Sequence, residues 1–140
     1  MTNIEYKMTE NEVIEKLITF LEKEGWFVGE NYCLGSKHGI DIKAEKAGKI
    51  LILEAKGSAA SKDAANRARE FFNAGQIKTH FGKAIVRILQ YKAENPDCQF
   101  AIAHPDDELI KKHIGKLIPF LKQLNIIHFW VSPEGKITQV

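Results

Sequence analysis

A chain of 140 residues, 44% hydrophobic and 27% charged, has the make-up of one globular domain able to bury roughly 68–70% of its unfolded surface. No apolar run approaches the roughly 20 residues a membrane-spanning helix needs, and the start, MTNIEYKMTE, lacks a signal-peptide core; a cytoplasmic protein with no membrane partner is expected. The net charge of +2 is unevenly spread: residues 1–55 carry 7 basic and 10 acidic side chains, residues 56–92 carry 8 and 2, and the remainder 5 and 6. A basic block beside an acidic third fits either a polyanion-binding surface or a solvated helix face. Cys33 and Cys98 stand far apart and form no CxxC, so each is expected to pack as a small hydrophobe.

In chain order, Thr9 is placed to cap a first helix whose Val13, Ile14, Leu17, Ile18 and Leu21 recur at helical spacing until Gly25 stops it. WFVGENYCL predicts a strand running into a loop through 35–38. Residues 39–46 and 49–56 predict two more strands, joined around Ala47-Gly48. The small, polar, basic stretch 57–72 has no clean period and reads as a loop or lid, partly helical. Asn73 with Gln76 forms a capping pair for a long helix ending near Tyr91, with Ile77, Phe81, Ala84, Ile85, Ile88 and Leu89 as its apolar stripe. CQFAIAHP predicts a buried strand, 106–124 a helix with an acidic start, IIHFWVS a strand, and KITQV a short last one. The order αβββαβαβ describes one domain, a mixed sheet covered by helices.

The stretch GIDIKAEKAGKILILEAK, residues 39–56, carries the chemistry. With a two-residue or four-residue loop at Ala47-Gly48, Lys46 faces Lys49 and Asp41 falls opposite Glu54. A three-residue loop with a bulge would separate them. Period-two alternation puts Glu54 and Lys56 on one face and Ile40, Ile42, Leu51, Leu53 and Ala55 on the other. Two carboxylates and an ammonium then converge at a strand end, as a salt bridge or as a working site. Side-by-side buried carboxylates call for a cation between them. A hard divalent ion held by Asp41 and Glu54, with the Ala55 carbonyl in reach, meets that need, and Lys56 sits where a phosphate would develop negative charge.

With GID at 39–41 and EAK at 54–56, residues 9 to about 91 resemble the PD-(D/E)xK nuclease superfamily, including Holliday-junction resolvases and Mrr-like restriction enzymes. Ile40 stands where the proline of PD would be, as in many members. The resemblance implies a restriction-endonuclease-like α/β/α sandwich and Mg²⁺-dependent hydrolysis of DNA, with Mn²⁺ as a substitute. It also implies a first-helix glutamate that helps Asp41 and Glu54 hold the metal. Glu10, Glu12 and Glu15 compete for that role; Glu10, on the core-facing side, is preferred, and Glu15 is the reserve. It further implies a glutamine on the helix after E-x-K, for which Gln76 stands, although His80 replaces the tyrosine of Q-x-x-x-Y.

Gln76, His80, Lys83 and Arg87 share one polar stripe, suited to hydrogen-bonding and contacting a nucleic-acid backbone, or else a solvated face below a capping glutamine. His38, in the loop before Asp41, is placed to touch substrate. The other histidines show no ligand spacing and read as structural. Two alternatives stand beside a deoxyribonuclease: a non-catalytic nucleic-acid-binding module and an RNA-directed nuclease. The absence of a separate recognition domain points to a homodimer or a partner protein supplying specificity.

Overall fold

The computed structural model describes residues 6–29, 39–59 and 71–140. Its framework is a six-stranded sheet in sequence order, formed by β1 (Phe27–Val28), β2 (Ile42–Lys46), β3 (Lys49–Ala55), β4 (Gln99–Pro105), β5 (Ile126–Val131) and β6 (Ile137–Gln139). β3, β4 and β5 run parallel, whereas β1–β2, β2–β3 and β5–β6 are antiparallel. The mixed sheet is therefore as the sequence predicts.

Helices cover both faces. On one, Val13, Ile14, Leu17 and Leu21 of α1 (Glu10–Lys23) pack on Ile42, Leu51, Leu53, Ala101 and Phe129. On the other, Ile77, Phe81, Ala84 and Ile88 of α2 (Ala74–Glu94) pack on Ile52, Phe100 and Ile102. α3 (Glu108–Ile114) and α4 (Ile118–Gln123) extend that second layer. The stripe on α2 is narrower than its spacing predicts: Ile85 is half-buried and Leu89 lies exposed.

Caps fix the helix starts. Thr9 and Glu12 form a reciprocal capping box on α1, as Asn73 and Gln76 do on α2. The single helix expected over 106–124 is broken by a 3-10 turn at Gly115–Leu117, and Pro119 lies in the first turn of α4, where its missing N–H has no helical partner to lose. Asp107 caps α3 through Leu109 N–H and Ile110 N–H and also pairs with Lys7 at 2.6 Å.

The β2–β3 hairpin pairs Lys46 with Lys49 and Ile42 with Leu53 across a two-residue turn, Ala47 (φ 50°) and Gly48 (φ 81°). Positive φ at both turn positions matches the twist of the strands. The ladder ends at Ile42. Gly39, at φ 128°, redirects the chain just before it, and Ile40 packs on the α2 face rather than beside Ile42. Strict alternation through residue 40 is therefore wrong, because alternation holds only while the ladder does.

Candidate functional site

Where β2 leaves the sheet, the Ala55 N–H would lose its strand partner. The Asp41 carboxylate takes over, its Oδ2 accepting that N–H at 2.9 Å. Asp41 is 6% exposed and lies at the next register position after Ile42↔Leu53, opposite Glu54. Glu54 projects to the α2 face, with Ile52, and is 1% exposed. Neither of its carboxylate oxygens has a hydrogen-bond partner among the described residues. Burial and the charge of Asp41 push its pKa up to about 8, against the lowering effect of Arg87 and Lys56. Asp41 is also raised by burial, opposed by the Ala55 N–H, by Lys56 and Arg87, and by the hydrogen bond that a protonated Glu54 donates to it. Each carboxyl titrates in the field of the other, so a proton held near neutral pH belongs to the pair.

Glu10 opens α1 and belongs to the same electrostatic group. Burial and Asp41 raise its pKa to about 7, whereas Lys56 and Arg87 lower it. Its approach depends on Gly57. A Cβ at Gly57 would stand 2.5 Å from the Glu10 backbone nitrogen and 2.7 Å from the Thr9 carbonyl carbon. Ser58 N–H donates to the Met8 carbonyl at 2.8 Å, which ties the exit of β3 to the start of α1. Glu12 serves the capping box and accepts from the Tyr6 hydroxyl; Glu15 faces solvent.

Lys56, half-buried, donates its backbone N–H to Ala103 O at 2.9 Å, and its charge is felt by Glu10, Asp41, Glu54 and His80. From α2, Arg87 reaches back to the carboxylates. Its Nη1 lies 3.8 Å from Glu54 Oε2 while the side chain remains 45% exposed. His80 is half-buried, edge-on to Phe72 at 4.5 Å; burial first, then Lys56 and Lys83, hold its pKa down. Lys83 is exposed on the same helix. Gln76 uses its Oε1 to accept the Asn73 N–H at 2.9 Å, which is the capping role. His38 lies outside the described residues, as do Cys33 and most of the basic stretch, residues 60–70.

The donor set suits a hard cation. Two unprotonated carboxylates here would be destabilised without one, and both Glu54 oxygens are unsatisfied. No set of three or more His, Cys, Asp or Glu side chains closes into a metal-holding group among the described residues. Asp41 and Glu54 stand opposite each other on neighbouring strands, and Glu10 is joined to them by mutual electrostatics.

Two solved structures share this fold. One is an XisH family protein from Nostoc punctiforme, 18% identical, matched over 91% of this chain and 97% of that one with a TM-score of 0.55. The other is an fdxN element excision controlling factor protein from Anabaena variabilis, 20% identical over 91% and 96%, with a TM-score of 0.54. No protein-family model matches the chain, and no curated protein matches it. At these identities the likeness shows a common architecture. No helix among the described residues is long and apolar enough to cross a membrane.

Sequence reasoning missed two features. Arg87 reads as a phosphate contact, yet its length lets it fold back onto Glu54. His104 and His128 read as isolated, yet β4 and β5 bring their rings together, with Nδ1 of one 2.9 Å from Nε2 of the other. A parallel pairing of strands more than 20 residues apart leaves no local spacing signal. The only hint is that each histidine interrupts an otherwise apolar strand.

Proposed function

We propose that this chain is a metal-dependent deoxyribonuclease with Asp41, Glu54 and Lys56 as its working residues. The observation that carries the reading is Glu54: a carboxylate 1% exposed, with both oxygens lacking a hydrogen-bond partner among the described residues, beside a second carboxylate fixed on a backbone N–H. A structural salt bridge would satisfy those oxygens. Arg87 at 3.8 Å only partly does so. Mg²⁺ or Mn²⁺ would supply Lewis-acid polarisation of a phosphodiester and neutralise charge. Asp41 and Glu54 would hold it, with the Ala55 carbonyl as a further donor; two carboxylates are a usual protein share for Mg²⁺, the rest coming from water and phosphate. Lys56 orients the attacking water and offsets charge on the phosphate oxygens. Glu10, with a pKa of about 7, can hold or release a proton near neutral pH. His80, Lys83 and the exposed part of Arg87 line the approach along α2 for a polyanionic backbone.

DNA is the substrate implied by the resemblance of GID and EAK to the nuclease superfamily, and one structural neighbour is by name an element excision controlling factor. The same name also fits a protein that binds without cutting. Two observations favour that second reading: Arg87 partly compensates Glu54, and Gln76 uses its side-chain oxygen for its cap. Linear, circular, branched and single-stranded DNA, and RNA, incubated with Mg²⁺, Mn²⁺ or EDTA separate the two. A nuclease cleaves DNA with metal, stops with EDTA and is silenced by Glu54→Gln. Binding without cleavage of any polynucleotide under every divalent ion leaves the binding module.

A further inference from the structure

Arg87 belongs to two surroundings at once. Toward the sheet, its Nη1 lies 3.8 Å from Glu54 Oε2. Toward solvent, it lines an open hollow on the surface of α2 together with Gly82, Lys83, Val86 and Gln90. A Cβ at Gly82 would meet nothing within 4 Å, so this surface is open to an approaching chain. The arginine side chain is 45% exposed, whereas that of Glu54 is 1% exposed. One residue thus connects a buried acid with a surface that a polyanion can reach.

The inner contact is one of charge alone. At 3.8 Å it exceeds hydrogen-bond length, and both Glu54 oxygens lack a hydrogen-bond partner among the described residues. An arginine committed to a carboxylate makes two parallel N–H···O bonds of about 2.7–2.9 Å, a geometry this pair lacks. The guanidinium offsets the Glu54 charge without being locked to it. It does not leave uncompensated, however. Arg87 and Lys56 are the two cations that act on Glu10, Asp41 and Glu54 alike, and without Arg87 three acids would face Lys56 by itself. A divalent ion on the Asp41 and Glu54 carboxylates puts two positive charges where Arg87 supplies one, which removes the need for it.

We propose that Arg87 is an exchangeable counter-ion: it neutralises Glu54 while the carboxylates hold no metal, and a divalent ion there releases it outward to a DNA phosphate. Metal and DNA then assist each other. The ion frees the guanidinium for phosphate, and phosphate keeps the guanidinium away from the ion's ligands. By linkage the two gains in affinity are equal. Arginine suits the exchange because it stays charged throughout and matches both carboxylate and phosphate. The metal step rests on the nuclease reading; the hold of Glu54 on Arg87 does not.

Two measurements on the full chain, at a pH above 8 so that Glu54 is ionised, test the exchange. Calorimetry with Ca²⁺ alone, a hard ion that takes oxygen ligands, is the first. Arg87→Met keeps the stem, removes the charge, and should tighten Ca²⁺ binding by roughly fivefold or more, the scale of coupling between sites. Lys116→Met, on the exposed turn after α3, should leave it unchanged. Anisotropy of a labelled duplex over a salt series is the second. The share of Arg87 is the wild-type slope minus that of Arg87→Met, a difference in which any ion bridging carboxylate and phosphate cancels. That share should be small without Ca²⁺ and rise toward roughly 0.9 with it. Glu54→Gln should raise it toward the same roughly 0.9 with no ion present, because the carboxylate charge is gone. Equal Ca²⁺ affinity in wild type and Arg87→Met overturns the exchange, as does an Arg87 share that neither Ca²⁺ nor Glu54→Gln raises. If neither protein binds Ca²⁺ or Mn²⁺ while Glu54→Gln raises the share, the nuclease reading fails and the hold of Glu54 on Arg87 stands.

Discussion

Burying a carboxylate raises the cost of its charge, and at Glu54 burial and two acidic neighbours, Asp41 and Glu10, outweigh Arg87 and Lys56. Between its ordinary 4.5 and the folded value of about 8, the native state holds a proton that the unfolded chain has released. Stability from this group is therefore full below pH 4.5 and is lost as pH rises toward 8. Glu10 acts in the same direction up to about 7. The histidine pair has the opposite sign: both folded values lie below 6.5, so stability is lost as pH falls beneath that. Glu54→Gln should flatten the fall in Tm between about pH 6.5, above which the histidines no longer oppose it, and 8, each kcal/mol removed being worth about 4 °C in a chain this size. An alkaline limb equally steep in the variant would show that Glu54 is not the group titrating. On the proposed nuclease reading, Lys56 would act in turnover rather than in grip. Lys56→Ala should cut the cleavage rate at saturating DNA by roughly a hundredfold or more while DNA affinity stays near the wild-type value; equal rates would make Lys56 a strand-end salt-bridge partner. Asp41, Glu54 and Lys56 were legible because a hairpin's register follows from its turn. His104 and His128 were not, since only the folded sheet makes them neighbours.

At the scale of elements, the sequence was informative wherever a local rule governs. Capping pairs, the Ala47-Gly48 turn and the stop at Gly25 all act over short stretches of chain. It misled where an element ends for tertiary reasons: Ile40 leaves the alternation because β2 leaves the ladder, and Asp41 bonds Ala55 in its place. The broken helix over 106–124 was hinted at by Pro119 alone. Ala47 holds φ 50°, a conformation that favours Asn or Gly. Ala47→Asn should thus stabilise the fold by about 0.5–1 kcal/mol in urea denaturation, relieving part of the roughly 1–2 kcal/mol cost of a left-handed alanine. A loss of stability would mean that the turn has another geometry. Gly57→Ala should destabilise by about 1–3 kcal/mol, because its methyl meets backbone rather than a side chain that can swing aside. A neutral result in thermal denaturation would show that the packing of β3's exit against α1 can open freely.

Across the whole molecule, the parallel strands β3 and β4 deliver Glu54, Lys56 and His104 to one end of the sheet, and α2 lays Arg87 over that end. The basic block seen in the sequence divides accordingly. Lys83 is exposed and able to meet phosphate, whereas Arg87 is partly engaged at 3.8 Å from Glu54. Removing one cation that neutralises a phosphate should reduce the slope of log affinity against log salt by roughly 0.9. Lys83→Ala should therefore flatten the slope by about one unit. Arg87→Ala should flatten it by less, since part of its charge already serves the carboxylate, and the double variant should fall between one and about two units. Both variants should weaken binding to unrelated DNA sequences alike, because phosphate is common to all of them. Fluorescence anisotropy over a salt series, run on two duplexes of different sequence, measures both effects. A slope unchanged by Lys83→Ala would make the stripe a solvated helix face. A larger effect from Arg87 than from Lys83 would mean that DNA draws the guanidinium away from Glu54 on binding.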